Sequence, residues 1–298
     1  MALQFETTES GGRKVKQKHR NNGVLAELEI PNGTNPEQNA WLTLTLGYGL
    51  TFMDRNTPAS GGTNPNERIL LNSGGDWYAR DGDGYMFPIL DWYMPAIELF
   101  HKKFRQGENI WNQRFQIIPP PDYSELDYKS GRDTIRPNVL CLFRMASGAR
   151  NSQNFNVVRL NPSVTEVSHE SGEKTKPFDY PNGFRSNEGT LADYDWRTPV
   201  LGHELGHALG LDHIKALKGD PRCKVDQNAD RCYGETVEEL NNIMGGGRDI
   251  TLLNSGPWRD QMGQITSQNM GRWAMVLMTD LNGTPLLPKK VSGKGKNW

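Results

Sequence analysis

His203, Glu204, His207, Gly210 and His213 stand at spacings that suit metal-assisted hydrolysis. Residues four apart on a helix lie one turn above the other on the same face, so His203 and His207 can each aim a ring nitrogen at one ion. Glu204, beside His203 on the rim of that helix, is placed to contact a water on the metal rather than the metal itself. His213 cannot join from a continuing helix, because six residues past His207 is about 600 degrees of turn at roughly 3.6 residues per turn. The chain must bend, and Gly210 is the residue that enters the left-handed conformation without steric cost. Three neutral imidazoles would leave a fourth position on Zn2+ for water, whose pKa falls to about 7 when so bound. The expected centre is open and catalytic, with His203, His207 and His213 as metal ligands and Glu204 as general base.

The run from His203 to His213 resembles the H-E-x-x-H-x-x-G-x-x-H signature of the metzincin metallopeptidases. Asn241-Asn242-Ile243-Met244-Gly245-Gly246-Gly247 resembles the methionine turn of that family, with Met244 placed 31 residues after His213 (244 minus 213). The resemblance makes Met244 the floor of the site, not a ligand. It implies an α+β fold: a twisted, mostly parallel sheet with a backing helix, then the zinc helix, the methionine turn and a C-terminal helix. It also implies a zinc-dependent endopeptidase whose zinc-bound water is activated by Glu204 and whose substrate is a protein or peptide. That substrate would lie extended against a sheet edge, for which residues 154–161 are the candidate, with the segment after Met244 lining a specificity pocket. Ile214 follows the third histidine, where subfamilies show their own residue, and no tyrosine lies just past Met244, so no subfamily is assigned.

Two other functions remain open at this level. One is a binding or assembly module that keeps the zinc fold without catalysis, against which the intact Glu204 argues. The other is a zinc hydrolase acting on cell-wall peptides. Pro221-Arg222-Cys223-Lys224-Val225-Asp226 resembles the inhibitory cysteine segment of matrix metalloproteinase propeptides, but that segment precedes the catalytic domain and this one follows the zinc helix. Its position argues against Cys223 as a thiolate latch on the metal.

These side chains need elements to position them. Thr198 is the expected N-cap and Pro199 the first residue of the zinc helix. Residues 41–52 alternate, putting Leu42, Leu44, Leu46, Tyr48, Leu50 and Phe52 on one face of a half-buried strand. From Asp91 the period becomes helical, with Pro95 in the first turn, Ala96, Leu99, Phe100 and Phe104 at helical spacing and Gly107 at the end. Residues 115–118, 138–145 and 155–160 predict strands, the second buried on both faces. Thr236 with Glu239 forms a capping box at the start of a short helix. Met270, Trp273, Ala274, Leu277 and Met278 predict an amphipathic helix near the C-terminus.

Residues 56–84, rich in Gly, Asn and Pro, predict an inserted loop. Its Asp81-Gly82-Asp83-Gly84 is similar to the opening of a calcium loop, but the later ligands of an EF-hand are missing, so calcium is weakly supported and a plain turn is favoured. Residues 1–22 predict a flexible lead-in with a basic cluster at Arg13, Lys14, Lys16, Lys18, His19 and Arg20, and Lys289, Lys290, Lys294 and Lys296 predict a solvated tail. A single catalytic domain over 23–298 is the economical organisation, with a split inside the 56–84 loop as the alternative.

Composition sets the outer limits. The 298 residues carry 34 basic and 35 acidic side chains, so no global field draws the protein to nucleic acid. No window has the length and apolarity of a membrane span, and the N-terminus has no apolar stretch of signal-peptide length. Metzincins typically act outside the cell, so the expectation is export by a specialised route, as for a delivered effector, or a leader missing from this sequence. No inhibitory propeptide is recognisable, although residues 1–40 could cover the cleft. Of three cysteines, Cys141 lies in an apolar run and predicts a buried thiol, while Cys223 and Cys232 are either two free thiols or, in an oxidising compartment, a bridge worth about 2 kcal/mol.

Overall fold

The computed structural model describes residues 6–7, 13–18, 23–54, 70–148, 152–179, 190–193, 195, 199–225 and 229–291. The chain is α+β and divides into two compact units, one of Met1–Gly47, Glu108–Ser152 and Leu205–Trp298, the other of Tyr48–Gly107 and Gln153–Glu204.

In the first unit, strands follow the spatial order Glu6–Thr7, Arg13–Lys18, Val24–Ile30, Ala40–Met53, Val139–Ser147, Phe115–Ile118 and Ala274–Leu277. The alternation expected from Trp41 onward is realised in the first half of Ala40–Met53, where Leu42, Leu44 and Leu46 are buried while Thr43 and Thr45 are half-buried, as a period of two dictates when one face packs on a core. From Gly49 to Phe52, including Leu50 and Phe52, the residues are all half-buried and the alternation is lost. Val139–Ser147 is buried on both faces only over its first residues; Arg144 is exposed. Cys141 is fully buried, and burial raises its thiol pKa well above the ordinary value.

Three expectations are corrected here. The first is the mostly parallel sheet. The pairs from Glu6–Thr7 through Ala40–Met53 are antiparallel, as are the pairs that Phe115–Ile118 makes with its two neighbours. For the strands from Glu6–Thr7 through Ala40–Met53, the short connections leave no room for the crossovers that parallel pairing needs.

The second is the flexible lead-in. Arg13–Lys18 is a strand paired antiparallel with Val24–Ile30, with Lys14 opposite Glu29 and Lys16 opposite Glu27 in the backbone register. His19 and Arg20 lie outside the described residues. Lys289 and Lys290, expected in a tail, likewise sit in the Lys289–Val291 strand on Asp133–Arg136, where Lys290 Nζ lies 2.7 Å from Asp133; Lys294 and Lys296 lie outside the described residues.

The third is the C-terminal helix. The 270–278 stretch is a 3-10 turn, Met270–Arg272, and then the Ala274–Leu277 strand on Phe115–Ile118. The helix of this region is Gly256–Thr266, with Pro257 in its first turn and Trp258, Met262 and Ile265 buried. The run Ala274-Met275-Val276-Leu277 fits a ladder as well as a helical stripe, and the open ladder of Phe115–Ile118 decides between them.

In the second unit, the later half of Ala40–Met53 pairs in parallel with Gln153–Val158, which is bordered on its other side by Thr190–Ala192. The 154–161 segment is therefore not a sheet edge at Asn156 to Val158, and the backbone groups that a bound peptide would use there are already paired. The Met94–Phe104 helix has Pro95 in its first turn, as expected. It buries Phe100 and Phe104, the latter with its ring 5.2 Å from Phe155 and 5.1 Å from Tyr48.

Residues 56–69 of the expected loop lie outside the described residues, but the remainder of the loop is folded. Leu70–Ser73 and Asp76–Arg80 make a hairpin in a five-stranded sheet with Tyr85–Pro88, Glu166–His169 and Thr175–Pro177. Ala79, Phe87, Val158, Leu160 and Val167 bury a common core there, enough to override a loop-like composition. Asp81 is fully buried, and its carboxylate accepts from the amides of Asp83 at 3.1 Å and Tyr85 at 2.8 Å and from Lys176 Nζ at 3.3 Å. The turn favoured from the sequence is formed, with the Asp81 carboxylate as its staple.

Among the described residues no helix is long and apolar enough to cross a membrane.

Candidate metal centre

The helix that carries the histidines runs from Pro199 to Ala208; Thr198, its expected N-cap, lies outside the described residues. It stops where the sequence says it must. Gly210 has φ +93, the Gly210 amide bonds to the His207 carbonyl at 2.8 Å, and the Leu211 amide reaches back to the Gly206 carbonyl at 2.9 Å. This pair of reversed bonds around a left-handed glycine is the Schellman ending, which satisfies the last carbonyls of a helix and turns the chain sharply. The next residues leave the helix axis, and His213 becomes the N-cap residue of a short helix, Ile214–Leu217.

The bend brings His213 back to the helix. Ring nitrogens of His203, His207 and His213 all lie within 4.8 Å of one another, and His203 and His213 are buried. His207 Nδ1 is 2.7 Å from the Leu211 carbonyl. A carbonyl only accepts, so Nδ1 carries the proton and Nε2 is left with its lone pair. That Nε2 lies 3.1 Å from His213 Nε2, the rings meeting nearly edge to face at 77°. Two nitrogens on a tetrahedral zinc, each about 2.0–2.1 Å from the ion, stand roughly 3.3 Å apart. The three imidazoles therefore fit one divalent transition-metal ion, with a donor set suited to zinc.

Under the helix lies Met244. The Asn242–Gly246 turn that holds it is built on asparagines: the Met244 amide bonds to Asn242 Oδ1 at 2.9 Å, and the side chains of Asn242 and Asn254 exchange bonds at 3.0 and 3.1 Å. Both asparagines and Met244 are buried. The Met244 sulfur sits against Gly206, which lies on the helix between His203 and His207. Met244 thus packs on the helix that carries His203 and His207, and the expected capping box of Thr236 and Glu239 is present on the Val237–Asn241 helix that leads into the Met244 turn.

Cys223 and Cys232 are joined in a disulfide and both are fully buried. Cys223 has no thiolate to offer a metal, so the latch is excluded by the bond that consumes its sulfur.

Three participants escaped the sequence. Tyr233 lies with its ring centroid 3.9 Å from that of His213, the planes 37° apart. Gly206 gives up its side chain so that Met244 can approach. Asp195, buried and eight residues before His203, accepts from the Ala192 amide at 2.5 Å. Burial chiefly pushes its carboxyl up to about 7, the Ala192 amide opposes this, and the charges of Glu204 and Asp193 raise it further. Only the adjacency of Tyr233 to Cys232 is visible in the sequence, and it signals nothing by itself.

In comparison with known proteins, no family model, no curated protein and no solved structure matches this chain. The functional argument therefore stands on the geometry of the site.

Proposed function

We propose that the protein is a zinc-dependent endopeptidase of metzincin type. The observation that carries this reading is the convergence of three imidazoles within 4.8 Å, with Glu204 next to the first of them on the same helix. His203, His207 and His213 would hold the ion, and the Leu211 carbonyl keeps His207 in the tautomer that presents Nε2. Zinc, when bound, supplies Lewis acidity: it polarises the scissile carbonyl and lowers the pKa of a water to about 7. Glu204 takes the proton of the attacking water on its carboxylate and returns it to the departing amine. The carboxylate is a general base in the first step and its conjugate acid in the second. A site that served structure alone would have no use for it. The Cys223–Cys232 bridge supports action in an oxidising compartment, since such bonds are rare where thiols are kept reduced.

The test compares zinc content and cleavage of an unstructured protein such as casein between the native chain and Glu204→Ala. Equal zinc with cleavage reduced at least about 100-fold in the variant is expected from loss of general base catalysis. Equal cleavage by both would overturn the role of Glu204, and a native chain that holds zinc but cleaves neither casein nor a peptide panel would overturn the peptidase reading.

A further inference from the structure

We propose that Tyr233 is a positioning residue for the third metal ligand, its ring held against the His213 imidazole by the Cys223–Cys232 disulfide; this rests on the reading of the three histidines as a metal centre. His213 differs from the other two histidines in how it is held. His203 and His207 are fixed by the helix that carries them, whereas His213 lies beyond the Gly210 bend with extended backbone, φ −60 and ψ 156. Its aim must be set by what packs on it.

Tyr233 covers that ring at 3.9 Å between centroids. The residue before Tyr233 is Cys232, tied to Cys223, and the two sulfurs pack with Ala216, three residues past His213, in a small buried cluster. The strap is also held by charge. Lys215 Nζ lies 2.8 Å from Glu235, and Lys218 Nζ 3.0 Å from the buried Glu239. The segments before and after the tyrosine are therefore both anchored to the short helix that begins directly after His213. A ring packed at a tilt against a metal-ligating imidazole restricts its rotation, as hydrogen-bond partners do for other ligating histidines.

The readouts are zinc affinity by chelator competition and the visible absorption of the cobalt-substituted protein, which reports the geometry of the donors. Tyr233→Ala is expected to bind zinc about 10- to 100-fold more weakly, the range for loss of a supporting partner, and to shift the cobalt spectrum. Tyr233→Phe keeps the ring and is expected to restore both. Tyr233→Leu keeps most of the volume without the aromatic face and is expected to behave as Tyr233→Ala, so a poorly folded alanine variant does not end the test. Joint Cys223→Ser and Cys232→Ser substitution releases the strap and is expected to weaken zinc in the same direction. Wild-type affinity and spectrum in folded Tyr233→Leu would overturn the proposal, as would a Phe variant as weak as the Ala variant. A native chain that binds no zinc would overturn the metal centre itself, and the positioning role with it.

Discussion

Met244 occupies the space that a side chain at Gly206 would need. A Cβ on Gly206 would stand 2.4 Å from the Met244 sulfur and 3.1 Å from the Trp111 ring, the first distance closer than carbon and sulfur can come. The helix and the Met244 turn touch at Gly206, one of the two glycines of that helix, so neither can shift there without moving the other.

Gly206→Ala is accordingly expected to destabilise the metal-free protein by about 1–3 kcal/mol through overpacking. In an ordinary helix interior the same change stabilises by roughly 0.5–1 kcal/mol, so the sign is the test. Urea unfolding at constant pH reads it directly, and a neutral or stabilised variant would show that Met244 yields easily.

Zinc removal should lower the melting temperature of the native chain. An ion that binds only the folded state at about 100 times its dissociation constant contributes roughly 2.7 kcal/mol. His203→Ala is expected to lose that increment while its metal-free melting temperature stays close to that of the metal-free native protein. If zinc stabilises His203→Ala as much as the native chain, the ion is held elsewhere.

Acid should loosen the strap that carries Tyr233. Two amides, of Glu235 at 2.9 Å and Thr236 at 3.3 Å, and the Lys218 ammonium bond the Glu239 carboxylate and hold it at about 2, down from an ordinary 4.5, with the Glu235 amide the largest cause. Between those values the unfolded chain binds the extra proton. The stability contributed by Glu239 is thus complete above about 4.5 and drains away as pH falls toward 2. Glu239→Gln is expected to be less stable at neutral pH and to show a flatter loss of stability from about pH 5 to about pH 3. Parallel curves for the two proteins would contradict the assignment.

Much of this site is legible in the sequence because its determinants are local. The spacing of His203 and His207, the left-handed bend at Gly210 and the capping box of Thr236 and Glu239 each depend on a few neighbouring residues, and each is found as expected. What required the structure depends on distant partners. Nothing near Ala274 says that Phe115–Ile118 has an open ladder for it, and a helical stripe was the wrong inference. The basic residues of Arg13–Lys18 suggest a tail until the backbone ladder with Val24–Ile30 is seen. The loop-like composition around Asp76–Arg80 is overridden by Phe87, Val158 and Val167, which come from three other strands. Tyr233 is invisible for the same reason: its meaning lies in His213, twenty residues earlier, and in a disulfide that brings the two together.

All three histidines fall between positions 203 and 213, which bears on how the centre comes into being. Gathering them in an unfolded chain closes only short loops, whose entropic cost is small. Initiating a helix is the slow and unfavourable step, with a nucleation constant of about 10⁻³. An ion bridging His203 and His207 fixes one turn at a stroke. On the proposed reading of the three histidines, a metal would seed the helix while the remainder of the chain is still open, guiding the order of assembly as well as completing the finished site.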